Sequence, residues 1–335
     1  MREDPAASEG PLTIISRMNA ISEIRVDAQN TYFGGWTFAV RVFETAVKAS
    51  STTVMTLNLI LPLASFEAFV PAQVKLPSLK KFAIQMSSWG HPYHMDESMT
   101  QRLLPFLDAH RHTLASLSLV SLDNTNLSLL LSRLPYMPLL HTLHLMQGWS
   151  MRPSYPVPMA VFYSEYSTAL TTYGSQLKHF SMRVLHSRPT SFTDFFQMAW
   201  CHIPLPKLES LILGLPSLGT DVDASVLASY LQQYSSTLTS LTLTYCVLRL
   251  QHLEPILSVF RIPGLLRNLD LDVGILKLEI FTVIAMCLPD LESLTLSFYS
   301  LSLESEYEQE PAIFWTPPAG ESDCSYWALV SDNAL

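Results

Sequence analysis

The amino-acid sequence predicts an α/β solenoid: a curved horseshoe of about ten irregular strand–loop–helix units, with a parallel sheet inside and helices outside. Three observations predict it. The first is a hydrophobic phrase, Leu-x-x-Leu-x-Leu with conservative replacements. It begins at Ile21, Val54, Leu79, Leu114, Leu140, Leu177, Leu208, Leu238, Leu266 and Leu291. These ten starts give a mean period of about 30 residues, a solenoid period. The second is helical spacing of apolar residues between the phrases. The third is a recurring punctuation just before each phrase.

The last two apolar residues of each phrase stand two apart, so a strand turns both to one face and its other residues to the opposite face. Between phrases, Leu127, Leu130, Leu131 and Leu134 follow helical spacing, with Asn124 or Thr125 as the cap. Val226, Leu227, Tyr230, Leu231 and Tyr234 do the same behind Asp221 and Asp223, which favour a helix start. Leu253, Ile256, Leu257 and Phe260 repeat the pattern, as do Ile280, Ile284 and Cys287. Each unit is therefore expected to hold a helix of about three turns. One strand and one helix cannot bury their apolar faces alone, and stacking of neighbours completes the core.

The punctuation has two forms. Proline stands at Leu76-Pro77, Met137-Pro138 and Leu205-Pro206; hydroxyls or glycine stand at Ser50 to Thr53, His112-Thr113, Tyr173 to Ser175 and Tyr234 to Thr237. The forms alternate from 54 through 266, and phrase starts 54, 114, 177 and 238 lie 60, 63 and 61 residues apart. A double repeat of about 60 residues is the unit this implies. Alternation ends with Ile262-Pro263 and Leu288-Pro289, both of the proline form. Proline stops the helix and extends the residue before it, which aims the chain into the next strand.

Organisation follows from the repeat: a lead-in over 1–14, the solenoid over 15–303, and an acidic linker over 304–335. In the linker, Phe314, Trp315, Tyr326 and Trp327 supply a C-terminal cap. Charged residues make up only 15% of the chain and the net charge is −9 without a basic run, which argues against nucleic acid. The most apolar stretch, 54–70, is broken by Asn58, Pro62 and Glu67, so no membrane span is expected. Met1 to Pro5 lack a signal-peptide profile, and Cys201, Cys246, Cys287 and Cys324 are widely spaced, as in reduced proteins of the cytoplasm or nucleus.

No phosphate loop, dinucleotide fingerprint, zinc-protease motif or nucleophile elbow occurs. His91 and His94, and His110 and His112, lie close together without a supporting Cys pair or carboxylate cluster, and read as loop histidines rather than metal ligands. Cys201-His202 are adjacent, an arrangement ill-suited to proton transfer, and Asn126-Leu127-Ser128 reads as a helix cap rather than a glycan site. The expectation is a chain without catalytic residues, metal or cofactor.

The phrases resemble leucine-rich repeats of the ribonuclease-inhibitor-like type, with Leu238-x-x-Leu241-x-Leu243-x-x-Cys246 matching the full consensus. Junctions such as Leu288-Pro289-Asp290-Leu291-Glu292-Ser293-Leu294 resemble the divergent repeats of fungal F-box proteins. In that family a separate F-box binds the Skp adaptor of a ubiquitin ligase, and the repeats hold the protein substrate on the concave face. The first phrase here begins at Ile21 with no F-box segment before it, so the resemblance implies the substrate-recognition region alone. A Skp adaptor is then a partner only through an F-box outside this chain. The alternative is a free-standing scaffold or inhibitor without a ubiquitin role.

Outward strand positions form the candidate docking face. His144, Met146, His179 and Arg183 make a mildly basic, partly apolar patch; Thr242 lies beyond it, and Asp270 and Asp272 make an acidic one. Such a bipolar row suits an extended partner of matching charge order. A plain solvated strand face is the alternative for each residue. Trp89, Trp149 and Tyr245, with Tyr93 and Tyr155, are candidate loop anchors, or else buried loop packing.

Overall fold

A computed structural model describes residues 12–28, 36–62, 65, 69, 74–87, 95–121, 127–148, 159–185, 195–214, 222–262 and 264–301. The chain divides into two compact units, 1–301 and 302–335. The linker and cap expected over 304–335 lie outside the described residues, as does Cys324.

Ten strands form a single sheet in chain order, each parallel to the next. They are β1 (Glu23–Asp27), β2 (Thr56–Pro62), β3 (Lys81–Ser87), β4 (Ser116–Ser121), β5 (Thr142–Gly148), β6 (His179–Leu185), β7 (Ser210–Gly214), β8 (Ser240–Leu248), β9 (Asn268–Leu276) and β10 (Ser293–Leu301). Every strand coincides with an expected phrase. The register stacks the phrase leucines into continuous rows, such as Leu57, Phe82, Leu117, Leu143, Phe180, Leu211, Leu241 and Leu269. Those residues are buried and pack with helix residues in one core.

The connectors depart from a uniform three-turn helix. Full helices α1 (Trp36–Ser50), α2 (Met95–His110) and α4 (Met159–Tyr173) precede β2, β4 and β6. The five-residue α3 (Ser128–Ser132) precedes β5, and a 3-10 turn (Ala199–His202) precedes β7. Strand starts from β2 to β6 are accordingly 25, 35, 26 and 37 residues apart. From β2 to β6 the double period in the junctions is thus an alternation of spacing: hydroxyl junctions end the long intervals and proline junctions the short ones. Strands lie about 4.8 Å apart whereas packed helices need 8–10 Å, so a shorter connector between full helices eases the crowding over β2 to β6. Asn124 and Thr125 lie outside the described residues; Leu127 occupies the cap position of α3 without a side-chain cap bond.

Before β7, where Phe195 and Phe196 are helical, aromatic rings pack the connector. Phe195 lies 5.3 Å from Trp200 and Phe196 lies 5.1 Å from Tyr230, edge-on or tilted. Beyond them α5 (Ala224–Gln232), α6 (Leu250–Ser258) and α7 (Leu278–Cys287) precede β8, β9 and β10. Asp223 caps α5, its carboxylate accepting from the Ser225 and Val226 amides. Asp223→Ala should therefore lower stability by about 1 kcal/mol in thermal or denaturant unfolding.

The junctions also join neighbouring repeats. The Ser50 and Thr53 hydroxyls donate to the carbonyls of Met18 and Ile21, one repeat earlier. Tyr173 and Gln176 donate to the carbonyls of Pro135 and Met137 in the proline junction. His110, read from sequence as a loop histidine, is a buried pin: its Nε2 accepts the Leu76 amide at 2.9 Å, and its Nδ1 bonds the Phe106 carbonyl. The bonds between junctions run both ways, since Ser78 beside Pro77 donates to the Thr52 carbonyl of a hydroxyl junction.

Candidate functional site

The alternate strand residues form the face of the sheet turned away from the helical core. Two register rows carry the candidate residues. One runs Ser118, His144, Ser181, Ile212, Thr242 and Asp270; the next runs Val120, Met146, Arg183, Gly214 and Thr244. A solvated face would leave these residues wet. Instead Ser118, Val120, Met146, Ser181 and Arg183 are all buried, and Val120 and Met146 lie outside the helix-side core.

Arg183 is 7% exposed, and its Nε has no hydrogen-bond partner among the described residues. The Ser181 and Thr244 hydroxyls beside it are likewise unsatisfied among those residues. A buried N–H without a partner is costly to desolvate, so an unsatisfied Arg183 Nε is a feature the fold does not keep for stability. Its position depends on Gly214 next door. A Cβ there would meet Arg183 Cγ at 2.7 Å, Arg183 Cβ at 3.1 Å and Tyr245 Cδ2 at 3.2 Å. The Arg183 stem and the Tyr245 ring both lean over the gap that glycine leaves.

Tyr245 takes a left-handed backbone conformation, φ 61°, within a bulge where β8 carries extra residues between Leu243 and Leu248. That conformation is strained for a bulky residue. The Asp272 carboxylate secures it by accepting the Tyr245 amide, and also accepts from the Ser297 hydroxyl. Asp270, one row away, has no hydrogen bond among the described residues. Burial raises the pKa of both acids; Asp272 adds to the rise at Asp270, and Arg183 lowers each.

The two patches read from sequence are therefore one cluster, because Arg183 crosses Gly214 and interacts with His144, Asp270, Asp272 and Tyr245. Its charge also differs from the expected basic patch. Burial, reinforced by Arg183, holds the His144 pKa at about 4, so this histidine is neutral near pH 7. His179 does not join the cluster. It is exposed at the start of β6, four residues or roughly 13 Å along the strand from Arg183. There it stands edge-on to His141, 6.2 Å away, beside the Lys178–Glu209 ion pair. Thr242 is half-buried between Ile212 and Asp270. Trp89 and Trp149, with Tyr93 and Tyr155, lie outside the described residues.

Gly214, Ser181 and Thr244 belong to the site and are not conspicuous in the sequence. The signal that finds them is lateral: aligning the phrases sets the longest side chain of the row, Arg183, beside a position with none.

The described cysteines are buried. Cys201 is buried, its thiol facing the Phe195 carbonyl and its pKa raised by burial, whereas His202 is exposed. Cys246 and Cys287 are buried free thiols, and burial pushes Cys246 up to about 12. Among the described residues no group of three His, Cys, Asp or Glu is placed to hold a metal ion. No described helix is long and apolar enough to cross a membrane.

No family model matches the sequence, and no curated protein matches it. Solved structures do match the fold. One is the leucine-rich repeat-containing protein LegL7 from Legionella pneumophila, at a TM-score of 0.53 and 14% identity over 88% of each chain. Another is a chain of the Rad7 and Elc1 complex in yeast, at a TM-score of 0.48 and 14% identity, covering 90% of this chain and 76% of that one. With its ten parallel strands, leucine rows and connector helices, the described fold is an α/β leucine-rich-repeat solenoid.

Proposed function

We propose that this chain is a non-enzymatic protein-binding solenoid whose partner docks on the helix-free, concave face of the sheet around Arg183. The observation that carries the reading is the row of buried polar groups left unsatisfied there, with Arg183 Nε at its centre. Partner groups would complete those bonds, and desolvated charges paired on binding contribute to specificity. We further propose that the partner is the substrate of an F-box-type ubiquitin-ligase receptor of fungal kind, working in the cytoplasm or nucleus. The Skp adaptor would be bound by an F-box outside this chain. That part is supported by the likeness of the junction phrases alone.

The test for the face is a triple variant, His144→Gln, His179→Ala and Arg183→Met, compared with wild type for partner capture from native extract. Capture should fall about tenfold with folding retained. Unchanged capture rejects the face. Sequencing the 5′ end of the native transcript tests the ubiquitin part. An in-frame upstream F-box exon supports it, and a start at Met1 with nothing upstream favours the free-standing scaffold.

A further inference from the structure

We infer that the partner group recognised at this cluster is a single basic side chain, lysine or arginine, on an extended segment. Its cation would lie against the Asp270 and Asp272 carboxylates, and its own backbone carbonyl would accept from Arg183 Nε. This rests on the reading of the helix-free face as the docking surface.

The argument is one of charge and reach. Two carboxylates and one guanidinium, with His144 neutral, give the cluster a formal charge of one unit negative. Among the described residues Arg183 forms no ion pair with either acid, although its stem crosses Gly214 in their direction. The acids are therefore near enough to sense the guanidinium and remain open to another donor. Asp272 already serves the Tyr245 amide, which makes Asp270 the acceptor with free capacity. A second carboxylate brought in by a partner would be repelled by the pair; one cation is attracted, and Arg183 opposes a second. The buried Arg183 Nε–H needs an acceptor that is not repelled by the acids, which a peptide carbonyl is. Arg183 starts from β6 but its Cγ lies over Gly214 in β7; β9 is two strand spacings beyond, roughly 10 Å, a span that an extended basic residue bridges from its carbonyl to its charged end.

The probe is a library of short capped peptides on beads, random except for one fixed position occupied by Lys or Arg, by Asp or Glu, or by Asn or Gln. The full chain should retain the Lys/Arg set about tenfold over the Asp/Glu set. Asp270→Asn should abolish that preference while the protein stays folded by circular dichroism. Gly214→Ala, which displaces the Arg183 stem with no change of charge, should weaken retention of the Lys/Arg set and keep the order of preference. Preferential retention of the Asp/Glu set, an unchanged preference in Asp270→Asn, or no retention of any set overturns the inference. The capture experiment with the triple variant decides the docking face separately, since a folded partner can use the face without a basic contact.

Discussion

Replacing Leu241 with alanine is expected to destabilise the protein by about 2–5 kcal/mol. Leu241 is fully buried in β8 and registers between Leu211 and Leu269, both themselves buried in the core. Truncation leaves a cavity that the flanking strands cannot close, because each is held in place by its own ladder of backbone bonds and by the next leucine of the row. In a repeat array the loss is felt through nearest-neighbour interfaces, so hydrogen exchange should quicken first in β7, β8 and β9. Denaturant unfolding checks the magnitude. A loss below about 0.5 kcal/mol would contradict the placement of Leu241 on the core face. The same change at Leu294 should cost much less, since β10 is an edge strand and that side chain is 37% exposed.

His144→Gln is expected to remove part of the acid sensitivity of the fold. The folded-state pKa of His144 is lowered from 6.5 to about 4 by burial and by Arg183. Between those values the unfolded chain takes up a proton that the folded chain refuses, so folding becomes less favourable as pH falls. The contribution has an upper bound of about 3.5 kcal/mol, at about 1.4 kcal/mol per pKa unit. Glutamine keeps a neutral polar side chain and has no such proton to take up. Wild type and variant should therefore be alike above pH 6.5, and the variant should gain on wild type as pH falls to about 4. His110 and His252, whose pKa values burial also lowers, contribute acid sensitivity to both proteins and drop out of the difference. Asp270 and Asp272 act in the opposite sense, their raised values making the folded state relatively better as pH falls through them. Parallel pH profiles for the two proteins would show that His144 is not held neutral.

The strands were legible because a solenoid writes its core in a short local code. Two apolar residues two apart, repeated at each phrase, name the buried face with no knowledge of neighbours. The caps and helices of the later repeats were equally local: Asp223 precedes the apolar spacing of α5, and Ile280, Ile284 and Cys287 lie on the buried side of α7. The alternation of proline and hydroxyl junctions was visible as a pattern. Its cause was not, because the crowding of helices over more closely spaced strands is a property of the stack. The shortness of α3 is the same effect: the leucine spacing around Leu130 is helical, but only 26 residues separate the starts of β4 and β5.

By itself the sequence determined the fold, its strands, its register and which side chains turn away from the helices, since all of these depend on residues a few positions apart. Only the tertiary structure decided what those outward side chains are to one another. It set His179 apart from Arg183, neutralised His144 by burial, and drew Arg183 across Gly214 toward Asp270 and Asp272. Those relations run across strands separated by some thirty residues of chain, where the governing quantities are lateral packing and local dielectric.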